Sequence, residues 1–323
     1  MNVAITNDEL LGMLACPEDQ SSLSYSHDSY LCERGHRFLI EEGLPIFTHE
    51  VRRERTPSNM APCARPIPEG PVDPFVNDWL VNTNGNLYWG ARGNLRRYPI
   101  PECPLPPGEG RILLDVGCSW GRWTVAAARA GYRPIGIDVH LDALAAASRV
   151  CRQLGLQARF LCCGAEKLPF RTASVDASFS YSVLQHLDRA TVCKTLLEFS
   201  RVLKPGGSCL IQLPNRHGLV STLQQARRGF REAAAGTFEM RYWSMSEIRD
   251  ALRRASFRDL RVRVDGYFSQ NPQLSDLDLL SPVGRLVVRA SHAARQLAKN
   301  FPLLARTADS LWIEGHAAPA GSH

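Results

Sequence analysis

The chain has 323 residues, of which 44% are hydrophobic and 22% are charged, and its net charge is +6. This composition excludes a fibrous, collagen-like or wholly disordered protein, and so small a charge does not by itself indicate nucleic-acid binding. No apolar run is long enough to span a membrane, and the first twenty residues lack the basic and apolar regions of a signal peptide. We therefore expect a cytoplasmic protein whose cysteines are reduced.

Residues 1–48 predict a small module of short strands around two cysteines. The runs LACPEDQSSL, YLCERGHRF and EEGLPIF resemble a zinc-ribbon segment. The resemblance implies a metal-ligand set of Cys16, Asp19, Cys32 and His36, which are all residue types that bind zinc. Asp19 stands where a cysteine is usual, and a carboxylate holds zinc less tightly than a thiolate. A structural zinc ion and a metal-free ribbon are therefore both open.

Residues 49–110 are rich in proline, glycine and charge, which predicts a linker and an N-terminal lid segment. An aromatic group of Trp79, Tyr88 and Trp89 lies between its proline clusters.

From residue 111 onward, strand and helix signals alternate. Strands are predicted at 111–117, 134–140, 158–164, 174–182, 208–215, 259–268 and 310–317. Helices are predicted at 123–132, 141–155, 190–207 and 244–256, with Ser244 or Ser246 as the cap of the last. Regular alternation of this kind predicts an α/β fold with a mostly parallel, doubly wound sheet, in which ligands bind at the carboxyl ends of the strands. Five cysteines in or beside these apolar runs are expected to be buried, namely Cys118, Cys151, Cys162, Cys163 and Cys209.

A glycine-rich turn follows the first of these strands. Gly117 allows a tight bend and Gly121 opens a helix whose free N–H groups face the same spot. Asp115 precedes the turn, and Asp138 follows 23 residues later, where a carboxylate can accept both hydroxyls of a ribose. The third glycine of the NAD fingerprint is absent, which disfavours NAD.

This turn and the blocks at 159–170, 174–189 and 199–215 resemble class I S-adenosylmethionine-dependent methyltransferases of the ubiquinone/menaquinone-biosynthesis-like branch. The resemblance implies a Rossmann-like, seven-stranded domain over 111–315, with S-adenosylmethionine as cofactor and S-adenosylhomocysteine as product. Zinc-ribbon segments accompany some members. The cofactor-binding residues that the resemblance implies are Asp115, Gly117, Cys118, Ser119, Gly121, Asp138, Val139, Ala165, Glu166, Ser180 and Ser182.

By this resemblance, Asp115 holds the amino group of the cofactor's methionine portion and Asp138 holds the cofactor's ribose. Two departures from the family pattern matter. Ser119 stands where the middle glycine is usual. Gly164 stands where an aspartate usually accepts from the adenine amino group, so adenine recognition would rest on the backbone and Glu166.

His186 lies just after the fourth strand of the domain, where related small-molecule methyltransferases carry a histidine that acts as a base. Its ordinary pKa of about 6.5 suits a base near neutral pH, but a histidine that only packs against the next helix is the alternative. Tyr181 is the second catalytic candidate, either as a hydrogen-bond donor to the acceptor or as a packing residue. Asp188 is expected to cap the next helix.

A substrate-side insertion is predicted at about 269–307, followed by a disordered tail at 316–323. One helical stripe of the insertion is apolar (Leu286, Ala290, Ala293, Leu297 and Phe301), and another is basic (Arg285, Arg289, His292, Arg295 and Lys299). Such a helix can lie on an anionic membrane or hold an acidic substrate, or it can cover the domain with its basic face in solvent.

The favoured hypothesis is a methyltransferase that acts on oxygen, nitrogen or carbon of a small-molecule acceptor, such as a secondary metabolite, a sugar or a lipid-linked compound. In the family the acceptor pocket is built by the segment 216–243, with Tyr88 and Trp89 as a cover. An RNA (ribosomal guanine) methyltransferase is the second hypothesis, because such enzymes carry a similar zinc module. A non-catalytic, cofactor-binding scaffold is the third.

Overall fold

The structure is a computed structural model, and it describes residues 3–53, 72–234, 237, 239–268 and 273–318. The chain divides into two compact units. The first takes in the residues up to Asp78 together with Leu95–Asp176, and the second takes in Trp79–Asn94 and the chain from Ala177 onward. The domain boundaries proposed from the sequence stay predictions.

The first unit begins with a short helix and a small antiparallel sheet. Helix α1 (Asn7–Met13) starts at a capping box, because the Thr6 hydroxyl accepts from the Glu9 amide and the Glu9 carboxylate accepts from the Thr6 amide. This helix was not predicted from the sequence. Four antiparallel strands follow in the order β1-β2-β3-β4, which confirms the predicted small β module. Their bounds are Leu23–Ser26 (β1), Ser29–Cys32 (β2), Arg37–Glu41 (β3) and Leu44–Pro45 (β4).

The stretch predicted as a linker contains a helix. Helix α2 runs over Pro74–Asn84, and a 3₁₀ helix follows at Asn86–Ala91. The carboxylate of Asp73 accepts from the Phe75 amide at 3.0 Å, and Pro74 occupies the first helical position, where a missing N–H costs nothing. Part of the predicted linker, at 54–71, lies outside the described residues.

A seven-stranded sheet has the order β10-β11-β9-β8-β5-β6-β7. Strands β5, β6 and β7 pair in parallel, while β11 runs antiparallel to both of its neighbours, so β9 and β10 share one direction. This confirms the predicted mostly parallel sheet. The bounds are Ile112–Val116 (β5), Arg133–Asp138 (β6), Arg159–Cys162 (β7), Val175–Tyr181 (β8), Leu203–Pro214 (β9), Phe257–Gly266 (β10) and Ser310–Ala317 (β11).

Helices connect these strands. Their bounds are Arg122–Arg129 (α3), Leu141–Gln153 (α4), Arg189–Val202 (α5), Leu219–Arg227 (α6), Met245–Arg254 (α7), Pro282–Asn300 (α8) and Pro302–Ala305 (α9). Ser244 caps α7 in a capping box with Glu247, and Asp188 caps α5 by accepting from the Thr191 amide at 2.9 Å. Both caps were predicted.

Several predicted boundaries shift by a few residues, most of all at the junction of α5 and β9. Helix α5 ends at Val202 rather than at the Pro-Gly-Gly run, and β9 already begins at Leu203. The reason is local, because a residue before proline, here Lys204, disfavours helical backbone. At the C-terminus β11 continues to Ala317, while residues 319–323 of the predicted tail lie outside the described residues.

The five cysteines predicted to be buried are all buried, and burial raises the pKa of the Cys151 and Cys209 thiols to about 12. Throughout the described part of the chain, each helix is too short or too polar to cross a lipid bilayer.

Candidate functional site

The glycine-rich turn joins β5 to α3 in left-handed backbone. The φ angles are +74° at Gly117, +48° at Ser119 and +82° at Gly121. Glycine adopts such angles without cost, whereas a serine pays about 1–2 kcal/mol. The amides of Gly117 and Cys118 both donate to the Ile137 carbonyl, at 2.8 and 2.9 Å. The turn is therefore tied to the neighbouring strand β6.

Two carboxylates at this turn have raised pKa values. Asp115 is 2% exposed, and burial raises its pKa to about 7, against a hydrogen bond from Thr124 and with a further rise from the charge of Asp138. The Thr124 hydroxyl donates to Asp115 Oδ2 at 2.6 Å. Burial also raises the pKa of Asp138. A carboxyl group near its pKa at neutral pH is a common mark of a functional site.

Asp138 fixes the turn through its two oxygens. Oδ2 accepts from the Ser119 amide at 2.8 Å, and Oδ1 accepts from the His140 amide at 2.9 Å. Each carboxylate oxygen can accept a second hydrogen bond, so the carboxylate can still receive a ligand hydroxyl. Val139 follows directly, and its carbonyl accepts from the Arg52 amide at 2.8 Å.

Ala165 and Glu166 follow the end of β7, the next strand of the same sheet. Gly164 has no side chain, and a Cβ built there would stand 2.5 Å from Glu166 Oε1 and 2.9 Å from Glu166 Cδ. The Glu166 carboxylate therefore occupies the space into which a side chain at position 164 would project. The first unit thus gathers nine of the predicted site residues at the carboxyl ends of β5, β6 and β7.

Two polar side chains of the turn have no hydrogen-bond partner among the described residues. These are the Ser119 hydroxyl and the Arg122 guanidinium, all three nitrogens of which are buried. Arg122 is 4% exposed and stacks over the Trp123 ring at 5.4 Å. Buried polar groups are normally satisfied, so these atoms indicate a place for a polar ligand. Arg122 was not among the site residues predicted from the sequence.

The remaining predicted residues belong to the second unit. Ser180 and Tyr181 end β8, and Ser182 follows in left-handed backbone, with φ +61°. The Tyr181 hydroxyl donates to Asp265 Oδ2 at 2.9 Å, and Ser310 donates to the same oxygen at 2.6 Å. This network supports the packing alternative for Tyr181. Asp265 lies 84 positions from Tyr181, and no local pattern connects the two residues.

His186 is the last residue of a 3₁₀ helix, Leu184–His186, and it is half-buried. Its amide donates to the Val183 carbonyl at 2.9 Å. Its carbonyl accepts from Arg241 Nη1 at 3.1 Å, and the Arg241 amide donates to the Gln185 carbonyl at 2.8 Å. The buried Arg241 guanidinium also donates to the carbonyls of Thr237 and Glu239. Arg241 thus fixes the backbone of His186 against the segment 237–241.

The N-terminal cluster is the second candidate site, and it brings together all four predicted ligands. One ligand atom from each of Cys16, Asp19, Cys32 and His36 lies within 4.8 Å of the others. His36 Nδ1 is 3.5 Å from Cys16 Sγ, 3.3 Å from Cys32 Sγ and 3.3 Å from Asp19 Oδ2. A tetrahedron with zinc–ligand bonds of about 2.0–2.3 Å has edges of about 3.3–3.8 Å. The spacing therefore fits a tetrahedral zinc site.

Asp19 is oriented for this role. Its Oδ1 accepts from the amide and the hydroxyl of Ser21, at 2.9 and 2.6 Å, which leaves Oδ2 facing His36. The Ser21 hydrogen bonds are also the main reason why the pKa of Asp19 falls to about 2. Hydrogen bonds from residues around a metal site commonly orient the metal-ligating side chains in this way.

Comparison with known proteins agrees with this geometry. Residues 113–207 match the family described as a methyltransferase domain. The ubiquinone biosynthesis O-methyltransferase of Methylococcus capsulatus is 35% identical over 109 residues, which are 33% of this chain and 45% of that protein. A tRNA (carboxymethyluridine(34)-5-O)-methyltransferase of Mus musculus is 33% identical over 107 residues, which are 32% of this chain and 14% of that protein.

A solved S-adenosylmethionine-dependent methyltransferase of Thermotoga maritima is 20% identical, with a TM-score of 0.44 over 66% of this chain and 84% of that one. The chain spans less than half the length of the two curated relatives named above. The predicted family resemblance is confirmed over residues 113–207.

Proposed function

We propose that the protein is a class I S-adenosylmethionine-dependent methyltransferase that transfers a methyl group to oxygen, nitrogen or carbon of a small-molecule acceptor. Residues 113–207 match the methyltransferase-domain family, which supports this proposal. The observation that carries this proposal is the glycine-rich turn, where Asp115 and Asp138 stand at the ends of adjacent parallel strands. All the described cysteines are free thiols rather than disulfides, which supports a cytoplasmic location.

The residues of the first unit fit the cofactor. Asp115 would hold the amino group of its methionine portion, and Asp138 would accept from the ribose hydroxyls. The Ser119 hydroxyl and the Arg122 guanidinium, which form no hydrogen bond within the described part of the chain, are donors suited to a carboxylate. When bound, S-adenosylmethionine supplies a methyl group on a positively charged sulfur. The chain's own residues then have to hold the acceptor in line, exclude water and, for a hydroxyl acceptor, take a proton.

A small-molecule acceptor is supported by the relatives from ubiquinone biosynthesis. The tRNA-modifying relative supports RNA as the second candidate. Binding of RNA that weakens steeply with salt would favour the second.

Calorimetric titration tests the proposed function. We expect S-adenosylmethionine and S-adenosylhomocysteine to bind with micromolar affinity and NAD not to bind. A panel of phenols, amines and carboxylic acids then screens for formation of S-adenosylhomocysteine. If neither S-adenosylmethionine nor S-adenosylhomocysteine binds, the proposal is wrong. If they bind but no acceptor class yields S-adenosylhomocysteine, a non-catalytic scaffold is favoured.

The affinity for S-adenosylhomocysteine should rise roughly tenfold between pH 6 and pH 8. The pKa of Asp115 is about 7, so the carboxylate that an ammonium group needs is about one-tenth populated at pH 6 and nine-tenths populated at pH 8. Titration calorimetry at both pH values measures this change, and Asp115→Asn should bind weakly with a flat profile.

The stability of the unliganded protein changes with pH in the opposite direction to the affinity. Because the folded-state pKa of Asp115 is raised, the unliganded protein loses stability as pH rises from about 4 to about 7. Two results would show that Asp115 does not hold the amino group. One is weaker binding of S-adenosylhomocysteine at pH 8 than at pH 6, and the other is a pH dependence of binding in Asp115→Asn equal to that of the wild type.

We also propose that Cys16, Asp19, Cys32 and His36 hold a structural zinc ion. Zinc would join the loop at Cys16 and Asp19 to the end of β2 and the turn at His36. Since such sites form only in the folded chain, metal binding would stabilise the module.

About one zinc ion per chain is the expected result of elemental analysis of the purified protein. Cys32→Ser should lower the zinc content several-fold and lower the melting temperature, because a thiolate ligand is lost. Cys193→Ser is the matched control, since Cys193 lies half-buried on α5, outside the cluster. A zinc-free wild type, or equal zinc in Cys32→Ser, would favour the metal-free ribbon.

A further inference from the structure

Helix α8 belongs to the second unit and packs against the rest of that unit through one narrow face. That face consists of Gly284, Val288, Ser291 and Ala298. The Ser291 hydroxyl accepts from the buried Tyr267 amide at 2.9 Å, and Ala298 joins a buried cluster with Tyr267, Ala308 and Leu311. The helix is therefore fixed in place by side chains other than its large apolar ones.

The apolar stripe predicted from the sequence faces solvent instead of the core. We call Leu286, Ala290, Ala293, Leu297 and Phe301 the α8 stripe. Leu286 is 69% exposed, Leu297 is 53% exposed and Phe301 is 59% exposed. Val283 and Leu303, which flank the stripe, are also exposed. A run of large exposed apolar side chains on one side of a helix is unusual for a surface that contacts only water.

The third face of the helix is basic. At about 100° per residue, Lys299, Arg285 and Arg289 lie on one flank of the helix, between the packed face and the α8 stripe, with Arg289 nearest to the stripe, and all three are exposed. The sequence from Leu280 to Ala308 has no aspartate or glutamate and contains five basic residues, the other two being Arg295 and Arg306. An anionic surface is complementary to such a segment.

We propose that α8 is an interfacial helix that binds the protein to the surface of an anionic phospholipid bilayer. The α8 stripe enters the boundary between headgroups and acyl chains, while Arg285, Arg289 and Lys299 face lipid phosphates. Apolar burial and attraction of basic residues to anionic lipid act together in helices of this kind. The inference is independent of the proposed methyl transfer.

A second element extends the same region of the second unit. The Leu219 amide at the start of α6 donates to the Thr307 carbonyl at 3.2 Å, and Asp309 Oδ1 accepts from the Val220 amide at 2.7 Å. Leu219 and Leu223 of α6 are themselves 53% and 51% exposed. The chain directly after α9 is thus tied to a second helix that carries exposed leucines.

Sedimentation of the full chain with vesicles tests the proposal. One set of vesicles contains phosphatidylcholine alone, and the other contains about 30% phosphatidylglycerol. We expect at least tenfold tighter binding to the anionic vesicles, and we expect added salt to weaken it because screening acts on exposed charges.

Matched variants locate the contact. Leu286→Gln/Leu297→Gln should weaken vesicle binding about tenfold or more, and Arg289→Gln/Lys299→Gln should remove most of the preference for anionic lipid. Leu197→Gln is the control, because Leu197 is 54% exposed on a different helix, α5. Each variant should keep the wild-type melting temperature, since the substituted side chains lie outside the packed face.

Any of three results would overturn the proposal. One is failure of the wild type to bind anionic vesicles. Another is equal loss of binding in Leu197→Gln and in the α8 variants. If light scattering instead shows a dimer that Leu297→Gln dissociates, the α8 stripe is a protein–protein interface and the membrane assignment is wrong.

Discussion

His186→Ala is expected to lower turnover by about 10²–10⁴-fold and to leave the affinity for S-adenosylhomocysteine nearly unchanged. The reason lies in how the residue is held. The backbone of His186 is fixed by the Val183 carbonyl and by Arg241, so removal of the imidazole leaves the 3₁₀ helix in place. The variant therefore tests the side chain as a base with little disturbance of the fold.

The assay is formation of S-adenosylhomocysteine with the best acceptor from the panel. His27→Ala is the control, since His27 is exposed in the turn between β1 and β2. If His186 is the base, the wild-type rate should rise with pH as the imidazole loses its proton, and the residual rate of His186→Ala should not show that step. Near-normal turnover in His186→Ala would leave the histidine with a packing role.

Arg241 shows why part of this site could not be predicted. The glycine-rich turn was predictable because its glycines, its aspartates and its strand lie within a few residues of one another. Arg241 acts on the carbonyl of His186, 55 positions away, and its spacing carries no local signal. The same holds for the hydrogen bond between Tyr181 and Asp265. Contacts that depend on how distant segments meet are set by tertiary structure.

Other features were missed although a local signal was present. Thr6 and Glu9 have the spacing of a capping box, and Asp73-Pro74 has the pattern of a helix start. Helix α1 has only seven residues, so it shows little periodicity. Helix α2 does carry apolar residues at helical spacing, among them the buried Val76 and Leu80, but its proline-rich surroundings led to the linker prediction.

For α8 the helix itself and its apolar stripe were predicted, but the packed face was not. Small residues such as Gly284 and Ser291 form that face. A Cβ at Gly284 would stand 3.2 Å from Leu280 Cβ, and the Ser291 hydroxyl accepts from the Tyr267 amide just after β10.

Glu166→Ala should weaken binding of S-adenosylhomocysteine by about ten- to a hundredfold. A hydrogen bond to a charged group contributes about 1.5–3 kcal/mol, and Glu166 is the acid proposed to accept from the adenine amino group. Its carboxylate already stands over Gly164, where the family carries an aspartate. Titration calorimetry measures the loss, and Glu50→Ala is the control, because Glu50 is exposed outside the site.

S-inosylhomocysteine separates adenine recognition from a general change of the pocket, because it has an oxygen in place of the adenine amino group. The wild type should bind it more weakly than S-adenosylhomocysteine, and Glu166→Ala should bind the two about equally. If Glu166→Ala still prefers the adenosyl compound by the wild-type factor, the amino group is recognised by backbone instead.

Placing an aspartate at position 164 and removing the Glu166 carboxylate tests most directly whether Glu166 has taken over the role of the family's aspartate. In Gly164→Asp alone, the new Cβ would stand 2.5 Å from Glu166 Oε1, and two carboxylates would compete for one space, so binding should weaken. In Gly164→Asp/Glu166→Ala the space is free, and Gly164 does not have the left-handed backbone that would exclude a side chain. We expect the double variant to recover most of the affinity lost in Glu166→Ala, a non-additivity that arises only when two side chains share one position. Additive losses would show that Glu166 covers Gly164 without taking over its role.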